Sequence, residues 1–128
     1  MIRALRVVFY FEVVTNLVSA AFALLFPSGF LGQLTTEPLP VAAVEFVRWY
    51  AVVLVVLSLV LLAALRDGSD RMLRPIIAAY LLGDALQIAV AIRLGEAVGA
   101  YPLAAHAAIW TSVFYAIARV LYLQRSRS

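Results

Sequence analysis

Cysteine and lysine are both absent from this 128-residue chain, and histidine occurs once. Without cysteine there is no disulfide, no thiolate metal site and no thiol redox chemistry. A single histidine excludes a multi-histidine metal site or a bis-histidine haem within one chain, so no metal and no cofactor is expected. Charge is scarce as well. Asp, Glu, Lys and Arg make up 13% of the residues, against about a quarter in a soluble domain. No stretch alternates apolar and polar residues as a half-buried strand would. The net charge of +3 is small, and its placement follows a membrane pattern, which argues against a nucleic-acid partner.

What the chain has in abundance is apolar length. Hydrophobic residues are 66% of the total, and the mean hydropathy is +1.02. Four apolar runs stand out, predicting helices over about 4–26, 41–65, 73–94 and 101–124. Each approaches or exceeds the roughly 20 residues that cross a bilayer core at about 1.5 Å per residue. Turn chemistry separates them: Pro27-Ser28-Gly29, then Glu37-Pro38-Leu39-Pro40, then the polar segment from Arg66 to Arg71, then Gly95 to Gly99. Pro75 and Pro102 suit the openings of the third and fourth helices. The expected fold class is all-α: one transmembrane domain over 1–128, an integral membrane four-helix bundle.

All ten basic residues are arginine. Arg3, Arg6, Arg66, Arg71, Arg74, Arg119, Arg125 and Arg127 fall at the two termini and in the middle loop, while Arg48 and Arg93 lie toward the other side. By the positive-inside rule this bias places both termini and the 66–74 loop in the cytoplasm. The first run, with Arg3, Arg6 and Ala21-Phe22-Ala23, has some features of a cleaved signal peptide. Its length and the interruptions at Glu12 and Asn16 instead predict a retained helix.

A helix that merely anchors needs no ionisable side chain, yet Glu12, Glu45, Arg48 and Asp84 lie within the spans. Each costs roughly 2.5–3.5 kcal/mol near a helix centre, so together, unpaired, they cost on the order of 10 kcal/mol. Helical spacing groups them. Glu12, Thr15, Asn16 and Ser19 share one stripe; Glu45, Arg48 and Trp49 share another; Tyr80, Asp84 and Gln87 a third; His106 and Trp110 a fourth. One polar-aromatic stripe per helix is what a common interior requires. From the rise per residue, Asn16 and Asp84 lie near the midplane, with Gln87, Ser19 and Trp110 within about 5 Å outward of it. Arg48 and His106 lie about 8–9 Å outward, Glu45 about 12 Å outward, and Glu12 about 6 Å toward the cytoplasm. The levels predict a polar pocket between the midplane and the extracytoplasmic boundary.

Each residue also has a purely structural reading. Glu45 and Arg48 form an i,i+3 pair able to neutralise itself, and Arg48 can instead snorkel outward. Asp84 has no opposite charge on its own helix near its depth, so Arg48 or a protonated state must answer it. The protonated form of Glu12 could be satisfied by tyrosine hydroxyls such as those of Tyr80 and Tyr115. His106 is either a satisfied core residue or an acid–base group. Trp49 suits an interfacial belt, and Trp110, deeper, is packing or a ligand wall. Asn16, Gln87, Thr15 and Ser19 suit interhelical hydrogen bonds. On the fourth helix, Ala104, Ala108, Ser112 and Ala116 form a small-residue ladder, and Thr111, Tyr115 and Tyr122 with Arg119 form a second polar stripe. Two non-lipid faces fit either tight packing within one bundle or a homodimer through this helix.

The Arg-led first helix, the Phe26-Pro27 break, the short outer loop and the Phe46-Val47-Arg48-Trp49-Tyr50 stretch resemble a broad group of small bacterial four-span proteins of unknown function. That resemblance implies a multi-pass protein of the bacterial inner membrane. Four spans, Glu45 in the second, Arg74-Pro75 before the third, and inward acidic and aromatic residues are similar to the EXPERA group of sterol isomerases and sterol-binding receptors. The motif order differs from that group, so no catalytic residue carries over.

Three functions follow from these residues. The first is an intramembrane pocket for a lipophilic molecule (isoprenoid, sterol-like or quinone-like), with cofactor-free isomerase or cyclase chemistry. In it Asp84 or Glu12 donates a proton and His106 or Glu45 accepts one, while Asn16, Arg48, Trp49, Tyr80, Gln87 and Trp110 line the site. The second is a dimeric proton-coupled transporter working through Glu12 or Asp84. The third is a non-catalytic accessory subunit docked on a larger membrane complex. Membrane lipids are partners in all three.

Overall fold

The computed structural model describes residues 1–99 and 101–126. Arg127, counted above among the cytoplasmic arginines, lies outside the described residues. The elements are α1 (Ile2–Leu25), α2 (Pro27–Gly32), α3 (Val41–Asp67), α4 (Asp70–Val98) and α5 (Leu103–Arg125). Among the described residues there is no strand. The four long helices are each long and apolar enough to cross a membrane. The short α2, begun by Pro27, was not anticipated; it continues from α1 after a break at Phe26.

Local chemistry explains the helix ends. Gly68 closes α3 with a φ of +80°, a left-handed conformation open to glycine without a Cβ clash. Ser69 then caps α4, its hydroxyl accepting from the Met72 amide at 3.4 Å, with Asp70 in the first turn. A capping hydroxyl and an acid at the positive end of the helix dipole both favour an early start. Hence α4 begins at Asp70 and not near 73, and Pro75 sits one turn inside it. Gly99, at φ +75°, closes the same helix.

Packing follows small residues. Ala20 and Ala23 of α1 and Ala51 and Ala64 of α3 are fully buried, letting these antiparallel helices approach closely. On α5, Ala105, Ser112 and Ala118 are buried, and the Ala104–Ala116 ladder is buried or half-buried throughout. The ladder thus contributes to packing inside the bundle. Most inter-helix contact lies within two pairs, α1 with α3 and α4 with α5; α3–α4 and α1–α5 meet more sparsely.

The two ends of the bundle differ. At the end where α1 begins and α5 finishes, one core draws on all four long helices: Leu5, Phe9 and Val13; Leu61, Ala64 and Leu65; Leu73 and Ile77; Ala118 and Tyr122. Phe9 and Tyr122 meet edge-on at 5.7 Å. A polar clasp covers this core. Arg6 donates to the Gly68 carbonyl at 2.8 Å and to Asp70 at 3.0 Å, the Tyr122 hydroxyl also donates to Asp70, and Arg74 donates to the Leu123 carbonyl at 3.0 Å. At the opposite end the second core, Ala23, Val47 and Ala51 with Phe30 and Leu31, belongs to α1, α2 and α3. The pairs are sealed together at one end and leave room between them further along.

Candidate functional site: a charged trio in the cleft between helix pairs

Arg119 of α5 is 1% exposed, and the residues around it define the site. Its guanidinium grips Glu12 of α1 with two hydrogen bonds, Nη1 to Oε2 at 2.8 Å and Nη2 to Oε1 at 2.6 Å. This two-pronged geometry matches the fork of arginine to the two oxygens of a carboxylate. Nη2 also donates to Asp84 Oδ1 of α4 at 3.3 Å. Nε lies 2.7 Å from Asp84 Oδ2, but its N–H is not aimed at that oxygen, and neither atom has a hydrogen-bond partner among the described residues. Glu12 is therefore held by two aligned hydrogen bonds, and Asp84 by one longer hydrogen bond and a close, misaligned ion contact.

Aromatic rings complete the seat. The guanidinium carbon lies 5.0 Å from the centroid of Tyr80, 5.4 Å from Tyr115 and 5.9 Å from Phe9, within the range of attraction between a cation and a ring face. Tyr80 is fixed by its hydroxyl, which donates to the Leu57 carbonyl of α3 at 2.6 Å. Thr15 turns its hydroxyl back onto the Glu12 carbonyl at 3.0 Å. Every long helix thus contributes, and Glu12–Arg119 joins one helix pair to the other.

Beside the trio lies a cleft of about 340 Å³. Its polar surface comes from Glu12, Asn16, Asp84, Gln87, Thr111 and Arg119, and its apolar wall from Leu54, Leu57, Val60, Ile76 and Ala79. Gly83 adds open space, since a Cβ there would meet nothing within 4 Å. Asp84 is the middle residue of α4 (Asp70–Val98), so the charged floor sits near the mid-length of the bundle.

Of the residues singled out from sequence, the cleft gathers Glu12, Asn16, Tyr80, Asp84 and Gln87. Glu45 and Arg48 pair with each other, both side chains substantially exposed, away from the trio. Trp49 is 70% exposed and Trp110 66% exposed. His106 is exposed, with its ring near Tyr101. His106 and Trp110 lie outside the cleft because α5 turns its other stripe, Thr111, Ser112, Tyr115 and Arg119, inward.

Sequence position sets Arg119 among the cytoplasmic arginines; the structure instead buries it against Glu12 and Asp84. The signal was present: Arg119 stands four residues after Tyr115 and three before Tyr122, on the stripe that also carries Thr111. Glu12 and Asp84 both lacked a basic partner in depth, and Arg119 is within reach of both. Tyr50, Thr111 and Tyr115 are further lining residues not assigned to the pocket from sequence. No protein-family model, curated protein or solved structure matches the chain.

Proposed function

We propose that this chain is a multi-pass protein of the bacterial cytoplasmic membrane, with both termini inside, whose interior cleft binds a lipophilic small molecule. The observation that carries the reading is the cleft itself: an apolar wall facing a charged floor, at mid-length in helices apolar enough to span a bilayer. Ionisable groups at that depth cost several kcal/mol, and a chain that needed only an anchor would be more stable with leucine in their place. The floor is small and deep, so it fits a guest with one compact polar group and a mainly apolar body. A phospholipid would have to drag its headgroup into hydrocarbon to reach it.

Binding is better supported than turnover. Glu12 is committed to Arg119 by two short hydrogen bonds, and His106 and Glu45 stand outside the cleft. The acid–base pairs considered from sequence are therefore not assembled around one space. The arginines of the sealed end support the orientation: Arg3, Arg6, Arg66, Arg71, Arg74 and Arg125 lie at the start of α1, at the α3–α4 turn and at the end of α5, as the positive-inside rule requires of a cytoplasmic face.

The test uses protein purified in mild detergent, extracted with solvent and analysed by mass spectrometry, beside a Gly83→Trp variant. Gly83 lines the cleft and a Cβ there meets nothing within 4 Å, so an indole at this position is placed to obstruct it without removing a charge. The expected result is a lipophilic compound at about one per wild-type chain, lost from a variant that keeps its helix content. Equal recovery from both proteins, or none from either, would overturn the binding reading.

A further inference from the structure

The charge count of the trio specifies the guest. One guanidinium faces two carboxylates, and all three side chains are nine-tenths or more buried. With every group ionised the cluster carries one net negative charge, in surroundings where an uncompensated charge is heavily penalised. The aromatic rings do not relieve it, because Tyr80, Tyr115 and Phe9 all sit against the cation. The four other ion-forming arginines and acids with defined partners are engaged elsewhere: Arg6 with Asp70, and Arg48 with Glu45. The shortfall falls on Asp84. Glu12 takes two hydrogen bonds of 2.6 and 2.8 Å, whereas Asp84 takes one of 3.3 Å together with a 2.7 Å contact from Arg119 Nε to Oδ2 that lacks hydrogen-bond alignment. Asp84 also lines the cleft, beside the open space at Gly83 and the apolar wall of Leu54, Leu57 and Val60.

We propose that the guest carries one positive charge, on a compact ammonium group seated against Asp84, with its apolar body along the α3 wall of the cleft. The proposal rests on the cleft-binding reading and adds the class of ligand: a lipophilic amine or quaternary ammonium. The ammonium brings the cluster to neutrality and supplies Asp84, which lines the cleft, with a counter-charge beside the single guanidinium it shares with Glu12. Its route in is the sparse α3–α4 seam, where Leu57, Val60, Ala79 and Gly83 are all exposed and a mainly apolar molecule can pass from the acyl chains. A proton on a carboxylate would supply the same single charge, and the experiment separates the two sources.

The probes are (4-phenylbutyl)trimethylammonium and its uncharged carbon isostere, in which the quaternary nitrogen is replaced by carbon. Binding is measured by equilibrium dialysis against the full chain in phosphatidylcholine nanodiscs, with empty nanodiscs subtracted. The expected result is saturable binding of the ammonium, about tenfold or more tighter than the isostere. Asp84→Asn removes that preference, Asp84→Glu keeps it, and Gly83→Trp abolishes binding of the ammonium. Isostere binding as tight as the ammonium, which is the outcome if a proton neutralises the trio, overturns the proposal. So does an unchanged preference in Asp84→Asn. Should Asp84→Asn fail to fold, the paired probes on wild type and Gly83→Trp still decide. If neither probe binds while a native compound is still lost in Gly83→Trp, the cationic guest is wrong and the cleft reading stands; if nothing binds and nothing co-purifies, both fall.

Discussion

Replacing Arg119 with methionine removes the cation and leaves two carboxylates facing each other in the interior. The methionine side chain is of comparable length and apolar, so the packing loss is small and the electrostatic loss dominates. Two hydrogen bonds to Glu12 and one to Asp84 disappear together. Removing one partner of a buried ion pair costs about 3–5 kcal/mol, because the remaining charge stays desolvated. At roughly 3–5 °C per kcal/mol for a chain of this size, the unfolding midpoint in detergent should fall by about 9–25 °C. The companion variant removes all three charges: Glu12→Gln, Asp84→Asn and Arg119→Met together. A neutral interior of similar volume carries no stranded charge, so the triple variant should recover most of the loss. Thermal unfolding followed by helix signal and by loss of monodisperse protein reads both. A drop of less than about 3 °C for Arg119→Met would mean the trio is not buried as described. A triple variant as unstable as the single one would mean that the contribution of Arg119 is packing and not charge.

The two carboxylates should behave differently. Asp84→Asn brings the cluster to formal neutrality and sacrifices one long hydrogen bond and a close but misaligned ion contact, so thermal unfolding should show it near neutral, whereas Glu12→Gln, which gives up two aligned hydrogen bonds, should lose about 2–3 kcal/mol. Tyr80→Phe removes the hydrogen bond to the Leu57 carbonyl across the α3–α4 seam and should cost about 1 kcal/mol in the same assay. Arg6→Ala breaks a pair in which Asp70 is 46% exposed and a hydrogen bond to the Gly68 carbonyl; the loss should be about 1–2 kcal/mol, and only its ion-pair part should shrink in high salt. Because the chain has no cysteine, single cysteines report topology cleanly. Thr36→Cys should react with an impermeant maleimide on intact cells and Ser69→Cys only after permeabilisation; the reverse pattern would invert the proposed orientation.

The helices were legible because apolar length is a strong signal, and their ends shifted where capping decided them, as at Ser69 and Asp70. The inward faces of α1 and α4 were legible too, since Glu12 and Asp84 have few alternatives to the interior. The face of α5 was not. His106 and Trp110 form one polar-aromatic stripe and Thr111, Tyr115 and Arg119 another, and helical period alone does not choose between them. The choice is made across the bundle, where Arg119 answers two acids on helices distant in sequence, and its nearness to a run of loop arginines disguised that role. The short α2 was missed because Pro27-Ser28-Gly29 reads as a turn, although proline also suits a helix start.

The central claim is that Glu12, Asp84 and Arg119 of α1, α4 and α5 converge opposite the apolar wall of α3 because a guest occupies the space between them. An experimental density map of the wild-type chain in lipid nanodiscs tests it most directly. The account predicts Arg119 bound to Glu12 and Asp84, with separate elongated density beside Asp84 along Leu54, Leu57 and Val60. A cleft closed by its own side chains, or Asp84 and Arg119 turned apart toward the lipid, would contradict it.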